Sequence, residues 1–267
     1  MDEWTFQNSG WRQGTVVPHE FVPDGNLPPE VGPETKLIIV SHDCDIVHDS
    51  EVEPFIELIA AHPVTAAGKD SRLFRGKNPR RLQIYIQEGD VKNLYELRAH
   101  ERFRISRQHF CDRKPQAGVS LNGVDVMVVA KWLSRRYKRY SFPTAFNNRI
   151  PPKNWTKLQK ALESDGDDVR LFVAFNSFEE LPSDKPYEVL IFVGVPSDVL
   201  ENDFREQRAL KVVAAIYESL STCAGITLID VKLRSEADIS IEEMERQLIE
   251  WDAYDYLSAP ESEAPKT

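Results

Sequence analysis

The sequence predicts an α+β protein with a small β-barrel-like domain first and a second α+β domain after it. Up to about residue 120, short apolar stretches alternate with Gly- and Pro-rich turns, which is typical of a barrel or a strongly curved sheet. Helical spacing then dominates residues 121–164, and strong strands return after a polar hinge. We therefore expect a barrel-like domain at 1–120, a basic helical connector at 121–164, an α+β domain at 165–257 and a disordered tail at 258–267.

Strands account for the first domain. Five Pro residues before position 36 disfavour helix, and Leu82, Ile84 and Ile86 alternate with polar residues at the period of a strand. The predicted strands are Trp11–Val17, Leu37–Val40, Val52–Ala61, Arg81–Gln87, Tyr95–His100 and Arg102–Ser106.

The remaining elements mix helices and strands. Helical spacing covers Val126–Tyr140, and a second helix is expected at Asn154–Ser164. Beyond the hinge, the order β-β-α-β-α predicts a three-stranded sheet with helices on one face. Its elements are strands at Val169–Asn176, Tyr187–Val195 and Ile226–Leu233, a helix at Val199–Ala224 ended by Gly225, and a helix from Ser240 with a capping box to Glu243.

Composition limits the class of protein. A hydrophobic content of 41% with five Trp indicates a folded chain. No apolar run reaches the roughly 20 residues that span a bilayer, and the N-terminus lacks a signal-peptide pattern. Three cysteines do not make a disulfide framework, so we expect a cytoplasmic protein in a reducing compartment.

The charge is unevenly distributed along the chain. Residues 69–160 contain 22 Lys and Arg against 7 Asp and Glu, whereas the rest contains 11 and 36, for a net charge of −10. Such a basic segment predicts an anionic partner, and nucleic acid is the leading candidate. The alternative is that acidic and basic regions neutralise each other within a domain or across a dimer.

The end of the Leu37–Val40 strand has the most concentrated chemistry. His42, Asp43, Cys44 and Asp45 follow it directly. In an extended chain, His42 and Cys44 would share one face and the two aspartates the other. Polar groups at the end of a buried strand require partners.

A repeated pattern suggests a metal. His42-Asp-Cys44 recurs as His109-Phe-Cys111, and two imidazoles with two thiolates are a ligand set that zinc accepts. The alternative is that both cysteines are small structural residues. A nucleophilic role for Cys44 is disfavoured, because adjacent aspartates raise the pKa of a thiol.

The carboxylates suggest another metal chemistry. Asp43, Asp45 and Glu57 lie on neighbouring predicted segments, with Arg81 on the next strand. Paired acids beside a cation are what a Mg²⁺-dependent phosphodiesterase or nuclease uses, and this is the leading enzymatic option. The alternative is that Asp45 caps a turn and the others are solvated.

A basic stretch in the predicted connector helix is the best phosphate-binding candidate. Its cations are interleaved with the aromatic residues Trp132 and Tyr137, a combination that suits nucleic acid. The alternative is that these cations only form a solvated face of the helix, while Trp132 attaches the helix to the core. The cations are Lys131, Arg135, Arg136, Lys138 and Arg139.

Two resemblances accompany these patterns. Trp11-Arg-Gln-Gly14 and Ser41-His-Asp-Cys-Asp-Ile46 together resemble an uncharacterised bacterial family with a W-x-QG turn and an S-x-x-CDI strand end. The order of the turn, the Leu37–Ser41 strand and the strand that reaches Pro63 is similar, more remotely, to the MazF/PemK toxin barrel. Thr15 stands where that family has an acidic residue. This likeness implies an SH3-like barrel that acts on RNA.

These observations predict a nucleic-acid-associated bacterial protein, of a defence or toxin-type system, that binds or acts on DNA or RNA. The alternative is a non-enzymatic protein–protein interaction module that pairs self-complementary acidic and basic regions.

Overall fold

The computed structural model describes residues 6–23, 25, 27–65, 71–74, 76, 78–138 and 142–251. Its contacts divide the chain into two units, Met1–Tyr137 and Lys138–Thr267. Within the described residues, one sheet has six strands and the other has four, and helices accompany both. The fold is mixed α+β, as predicted. Across these segments, no helix combines the length and apolar character that crossing a membrane requires.

Six strands form the sheet of the first unit, in the spatial order β1-β2-β3-β5-β4-β6. A bridge between Thr15 and Ser120 brings the two outer strands together, so the sheet is a nearly closed barrel. This confirms the barrel-like sheet. The strands are β1 (Val16–Val17), β2 (Lys36–Ile39), β3 (Phe55–Pro63), β4 (Arg81–Glu88), β5 (Val91–Ser106) and β6 (Val119–Ser120).

Apolar residues cover both faces of this sheet, because successive side chains of a strand point to opposite sides. In β2, Ile38 belongs to one core cluster, whereas Leu37 and Ile39 belong to another. Trp132 packs a long helix against the first cluster. The helices of this unit are α1 (Phe6–Ser9), α2 (Asp43–Val47), α3 (Ser71–Phe74) and α4 (Gly123–Lys138).

A turn at Gly14 joins the two ends of the barrel. Its N–H donates to the Ile39 carbonyl at 2.8 Å, and its carbonyl accepts from the Leu121 N–H at 3.4 Å. The φ of Gly14 is +84°, and a Cβ there would lie 2.4 Å from Cγ2 of Val126. Glycine is therefore required at this turn both by its backbone conformation and by the approach of α4.

The second unit contains a four-stranded sheet in the order β10-β7-β8-β9. β7 and β8 are antiparallel, whereas β8 and β9 are parallel, and two helices cover a core of apolar strand residues. The strands are β7 (Arg170–Phe175), β8 (Tyr187–Val195), β9 (Ile226–Ser235) and β10 (Ile249–Glu250). The helices are α5 (Thr144–Asn148), α6 (Pro152–Asp165), α7 (Ser197–Leu200), α8 (Asp203–Leu220) and α9 (Ile241–Arg246).

The predicted connector at 121–164 is not a separate element. α4 packs into the core of the first unit through Trp132, and α6 packs into the core of the second unit through Trp155 and Leu158. The chain divides between Tyr137 and Lys138, away from the predicted boundaries at 120 and 164. Each helix has an apolar face that its own unit buries.

Several predicted bounds change in the structure. The two strands expected at 95–100 and 102–106 are one strand, β5, and the strand expected at 11–17 shrinks to β1 because the Gly14 turn precedes it. The helix expected at 199–224 is divided into α7 and α8 and ends before Gly225. β10 adds a fourth strand to the predicted three. The capping box of Ser240 and Glu243 is present, and the predicted tail at 258–267 lies outside the described residues.

Replacing Gly14 by Ala tests the turn. We expect Gly14→Ala to lower the free energy of unfolding by about 3 kcal/mol, since left-handed backbone strain and overpacking each cost about 1–3 kcal/mol. Gly25→Ala is the matched control, because Gly25 has the same φ of +84° but open space around its Cβ. Chemical denaturation of both variants measures the difference. Equal losses would show that Val126 does not constrain the turn.

Acid should weaken a second contact of the barrel. Glu88 accepts hydrogen bonds from Tyr95 at 2.6 Å and Asn93 at 3.0 Å, and pairs with Lys36 at 2.9 Å. The Tyr95 hydrogen bond is the main cause that lowers the pKa of Glu88 from 4.5 to about 2, assisted by Lys36 and Asn93 against the opposing effect of burial. A carboxylate with a lowered pKa stabilises the fold above its unfolded pKa and loses that contribution as the pH falls through the folded value.

We therefore expect the free energy of unfolding to fall less steeply between pH 4.5 and about 2 in Glu88→Gln than in the wild type. Denaturation at a series of pH values measures this slope. The exposed Glu51, changed to Gln, is the control and should keep the wild-type slope. The interpretation fails if Glu88→Gln and the wild type lose stability in parallel.

Candidate functional site

The polar residues after β2 do not continue the strand. They begin α2 instead, and the His42 ring accepts a hydrogen bond from the Cys44 N–H at 3.2 Å as the helix cap. The expectation of an extended His42–Asp45 segment is therefore wrong. Asp43 accepts from the Gln13 N–H at 2.7 Å, and Ser41 accepts from the Glu57 N–H at 2.8 Å.

These contacts explain why the W-x-QG and S-x-x-CDI patterns occur together. The Gln13 side chain donates to the Val40 carbonyl at 3.0 Å, while Asp43 holds the Gln13 backbone. Trp11 is fully buried in the core cluster that also contains Ile46. The two motifs therefore meet as one structural joint between the first turn and the end of β2.

The predicted metal ligands are not assembled into a site. His42 caps α2, whereas His109 lies in a 3-10 turn that ends at Cys111. Both Cys44 and Cys111 are exposed. Among the residues that the structure describes, no group of three or more His, Cys, Asp or Glu side chains could hold a metal ion. The structure thus gives the proposed four-ligand zinc site no geometric support.

The predicted catalytic residues make separate contacts as well. Asp43 holds the first turn, and Asp45 is exposed on α2. Glu57 pairs with Arg102 at 3.5 Å, and Arg81 pairs with Glu96. The metal-binding carboxylate cluster of a nuclease is therefore not formed within the described part of the chain.

The structure gathers a different set of charges, around a bulge between β3 and β5. Ile59 faces Arg102, but Ala61 faces Leu97, so two steps along β3 match five along β5. Four residues of β5, 98–101, therefore lie opposite Ala60 alone in the ladder with β3, although Arg98 still pairs with Arg81 of β4. A bulge bends the strand locally and can redirect its side chains.

Arg81 and Arg98 lie directly opposite each other on β4 and β5. Like charges in that position repel, unless a counter-charge holds both. Glu96 does so: its carboxylate accepts from Nε of Arg81 at 2.9 Å and lies 3.6 Å from Nε of Arg98. The Glu96 side chain is only 7% exposed, whereas the two arginine side chains are 52% and 44% exposed. Burial alone would raise the pKa of Glu96, but the Arg81 hydrogen bonds and charge lower it overall.

A second buried carboxylate supports the bulge. Glu101 accepts from Nη1 of Arg98 at 3.1 Å and bonds to Nε2 of His62. The other ring nitrogen of His62 lies 3.4 Å from the Thr35 hydroxyl. Both nitrogens of His62 thus contact protein groups, and the ring braces Glu101.

The C-terminal end of α4 reaches the same bulge. Arg102 donates to the Tyr137 hydroxyl at 2.7 Å and lies over its ring at 5.7 Å. Arg135 donates to the Gly76 carbonyl at 2.9 Å, and Trp132 donates to the Asn78 carbonyl at 2.7 Å, just before β4. The helix end, the start of β4 and the bulge therefore lie at one end of the barrel. We call their basic residues the basic rim: Arg80, Arg81, Arg98, His100, Arg102, Arg135 and Arg136.

The predicted basic helix is part of this rim. Arg135 and Arg136 lie in the last turn of α4, and Arg136 is exposed, as is Lys131 one turn earlier. Lys138 ends the helix, and Arg139 lies outside the described residues. Arg81, which the sequence pattern assigns to catalysis, belongs to the same basic surface.

Sequence reasoning missed Glu96, Glu101 and His62. A signal for Glu96 and Arg98 exists, because they alternate with the buried Tyr95, Leu97 and Ala99 along one strand. Glu101 falls at the next position of the same alternation, but a glutamate there carries no sequence signal of burial, because glutamate is almost never fully buried unless paired.

A scan of protein-family models and searches of curated proteins and solved structures find no match to this chain. Function must therefore be inferred from the chemistry of the site.

Neutralising Glu96 tests the rim. We expect Glu96→Gln to lower the free energy of unfolding by about 2 kcal/mol, less than the ~3–5 kcal/mol of a fully buried pair because the arginines are half exposed. Arg81→Gln added to it should cost less than the sum of the single changes, since the repulsion between Arg81 and Arg98 disappears. A double-mutant cycle by denaturation measures the coupling. Strictly additive losses would exclude the shared-carboxylate interpretation.

Proposed function

We propose that the first unit binds single-stranded nucleic acid through the basic rim. One observation carries the proposal: the half-exposed side chains of Arg81 and Arg98 are held side by side on one buried carboxylate. Since Glu96 fixes their position in advance, little side-chain entropy is lost when they meet phosphate. Arginine is the side chain best suited to phosphate oxygens, because its planar donors can bond two of them at once.

Tyr137 favours a single strand over a duplex. Its side chain is 73% exposed at the end of α4, and Arg102 fixes its hydroxyl. An anchored, exposed aromatic ring beside cations offers a stacking surface to an unpaired base, whose faces are covered in a duplex. Stacking contributes about 1–3 kcal/mol per base and tolerates any sequence.

The proposal is one of binding, and the arrangement of His62 supports that choice over cleavage. A general base needs a ring nitrogen directed at the substrate, and both nitrogens of His62 contact protein groups. The remote likeness to the MazF/PemK barrel also suits an RNA or DNA ligand. We propose that this binding serves a defence or toxin-type system.

The alternative, pairing between acidic and basic regions of different copies, has less support. Acidic residues of the second unit are paired with arginines of that unit, including Asp168 with Arg205 at 2.9 Å and Glu250 with Arg170 at 3.0 Å. These ion pairs already neutralise acidic side chains that would otherwise be available to the basic surface of another copy. Light scattering without nucleic acid, at low and high salt, separates the two ideas, because only self-pairing predicts salt-sensitive oligomers.

Binding is tested with labelled single-stranded RNA and DNA oligonucleotides over a salt series, by fluorescence anisotropy. We expect Arg98→Ala/Arg136→Ala to weaken binding and to reduce the slope of log K against log salt by about 1.4, or about 0.7 for each phosphate that is no longer neutralised. Tyr137→Ala should instead cost about 1–3 kcal/mol at an unchanged slope, because stacking releases no counterions.

Lys92→Ala/Lys114→Ala is the matched control. It removes the same charge from exposed positions of the same unit outside the rim. It should leave the slope close to that of the wild type. Absence of wild-type binding, or equal slopes for the two double variants, would refute the proposal.

A further inference from the structure

A pocket of about 480 Å³ lies in the first unit, apart from the basic rim. Its volume is within the ~300–1,000 Å³ that small-molecule sites of proteins usually occupy. It shares no residue with the rim. Its walls come from α1, the end of α2 and the turn that follows β5, and the lining residues that matter below are Phe6, Val47, Ser50, Pro54, Arg107 and Cys111.

Arg107 is the unusual member of this lining. Arg107 is buried, with only 3% of its surface exposed to solvent. One terminal nitrogen donates to the Glu53 carbonyl at 2.9 Å and the other to the Ile46 carbonyl. The Phe6 ring lies 4.2 Å from the centre of the guanidinium group. Nε, by contrast, is buried and has no hydrogen-bond partner among the described residues.

Within the described part of the chain, no carboxylate contacts the positive charge of Arg107. Its described hydrogen bonds go to neutral carbonyl groups, and none of the ion pairs between described residues includes it. Burial lowers the pKa of Arg107, against the weaker opposing influence of Asp49, Cys111 and Glu53. Buried charges in proteins are normally paired, because desolvation is costly. An anion in the pocket would supply the missing partner.

We propose that this pocket binds a small organic anion, whose carboxylate or phosphate group lies against Arg107. The apolar part of such a ligand would contact Val47, Pro54 and Phe6. A pocket lined by one buried guanidinium group suits a small molecule, whereas the exposed rim suits a polymer.

The reactivity of Cys111 can report on occupancy of the pocket, because Cys111 lines the pocket and is exposed to solvent. Cys44 is also exposed but does not line the pocket, and Cys223 is buried, so Cys44→Ser leaves Cys111 as the reactive thiol. Iodoacetamide is uncharged, and its rate of reaction with Cys111 can be followed by mass spectrometry. The probes are inorganic phosphate and citrate, each compared with sodium chloride at equal ionic strength.

We expect at least one probe to slow the alkylation of Cys111 threefold or more, in a saturable manner. Protection by phosphate alone identifies a phosphate ligand, and protection by citrate alone identifies a carboxylate ligand. Protection by neither probe overturns the proposal.

Two variants test the role of charge without removing Arg107, whose contacts also support the fold. Ser50→Glu places a carboxylate in the pocket lining and should abolish the protection. Val52→Glu adds the same charge two residues away, at a 63% exposed position outside the lining, and should retain it. Protection that survives Ser50→Glu, or that both variants abolish, would contradict binding at Arg107.

Discussion

The barrel depends on the hydrogen bonds of one glycine. Gly14 donates to Ile39 of β2 and accepts from Leu121 at the start of the α4 segment, so one residue connects both outer parts of the sheet. Only a residue without a Cβ allows Val126 to approach so closely. The position of α4 follows from this contact, because the helix begins two residues after Leu121. The position of the basic rim depends on α4 in turn, since its Arg135 and Arg136 lie in the last turn of this helix.

Buried carboxylates are the second constraint. Placing Glu96 and Glu101 in the wall of a barrel costs desolvation energy that a hydrophobic pair would avoid. Each is satisfied by several donors, and Arg98 contacts both. Apolar residues at these two positions would stabilise the fold as well as the buried ion pairs do. The arrangement makes more sense as a support that orients arginines whose outer surfaces remain in solvent.

Local patterns in the sequence predict local structure well. Alternation in residues 81–87 predicts β4 nearly to the residue, and the Ser240 capping box is present. Strand alternation gives the wrong structure for the segment after β2, because His42 satisfies the first turn of a helix there. Contacts such as Arg81 with Glu96 depend on the register of β4 and β5, which is not encoded in the spacing of the two residues. The candidate site was therefore only partly predictable.

The two arginine sites differ in a way that bears on their ligands. At the rim, carboxylates already neutralise part of the charge of Arg81 and Arg98, and the two side chains keep about half of their surface in water. Such groups gain little from a single small anion, but many weak phosphate contacts add up along a strand. Arg107 is the opposite case, a charge removed from water whose only described hydrogen bonds go to carbonyl groups. One well-placed anion gains more there, because its attraction is not screened by solvent. The degree of burial, more than the residue type, thus separates a surface for a polymer from a pocket for a small molecule.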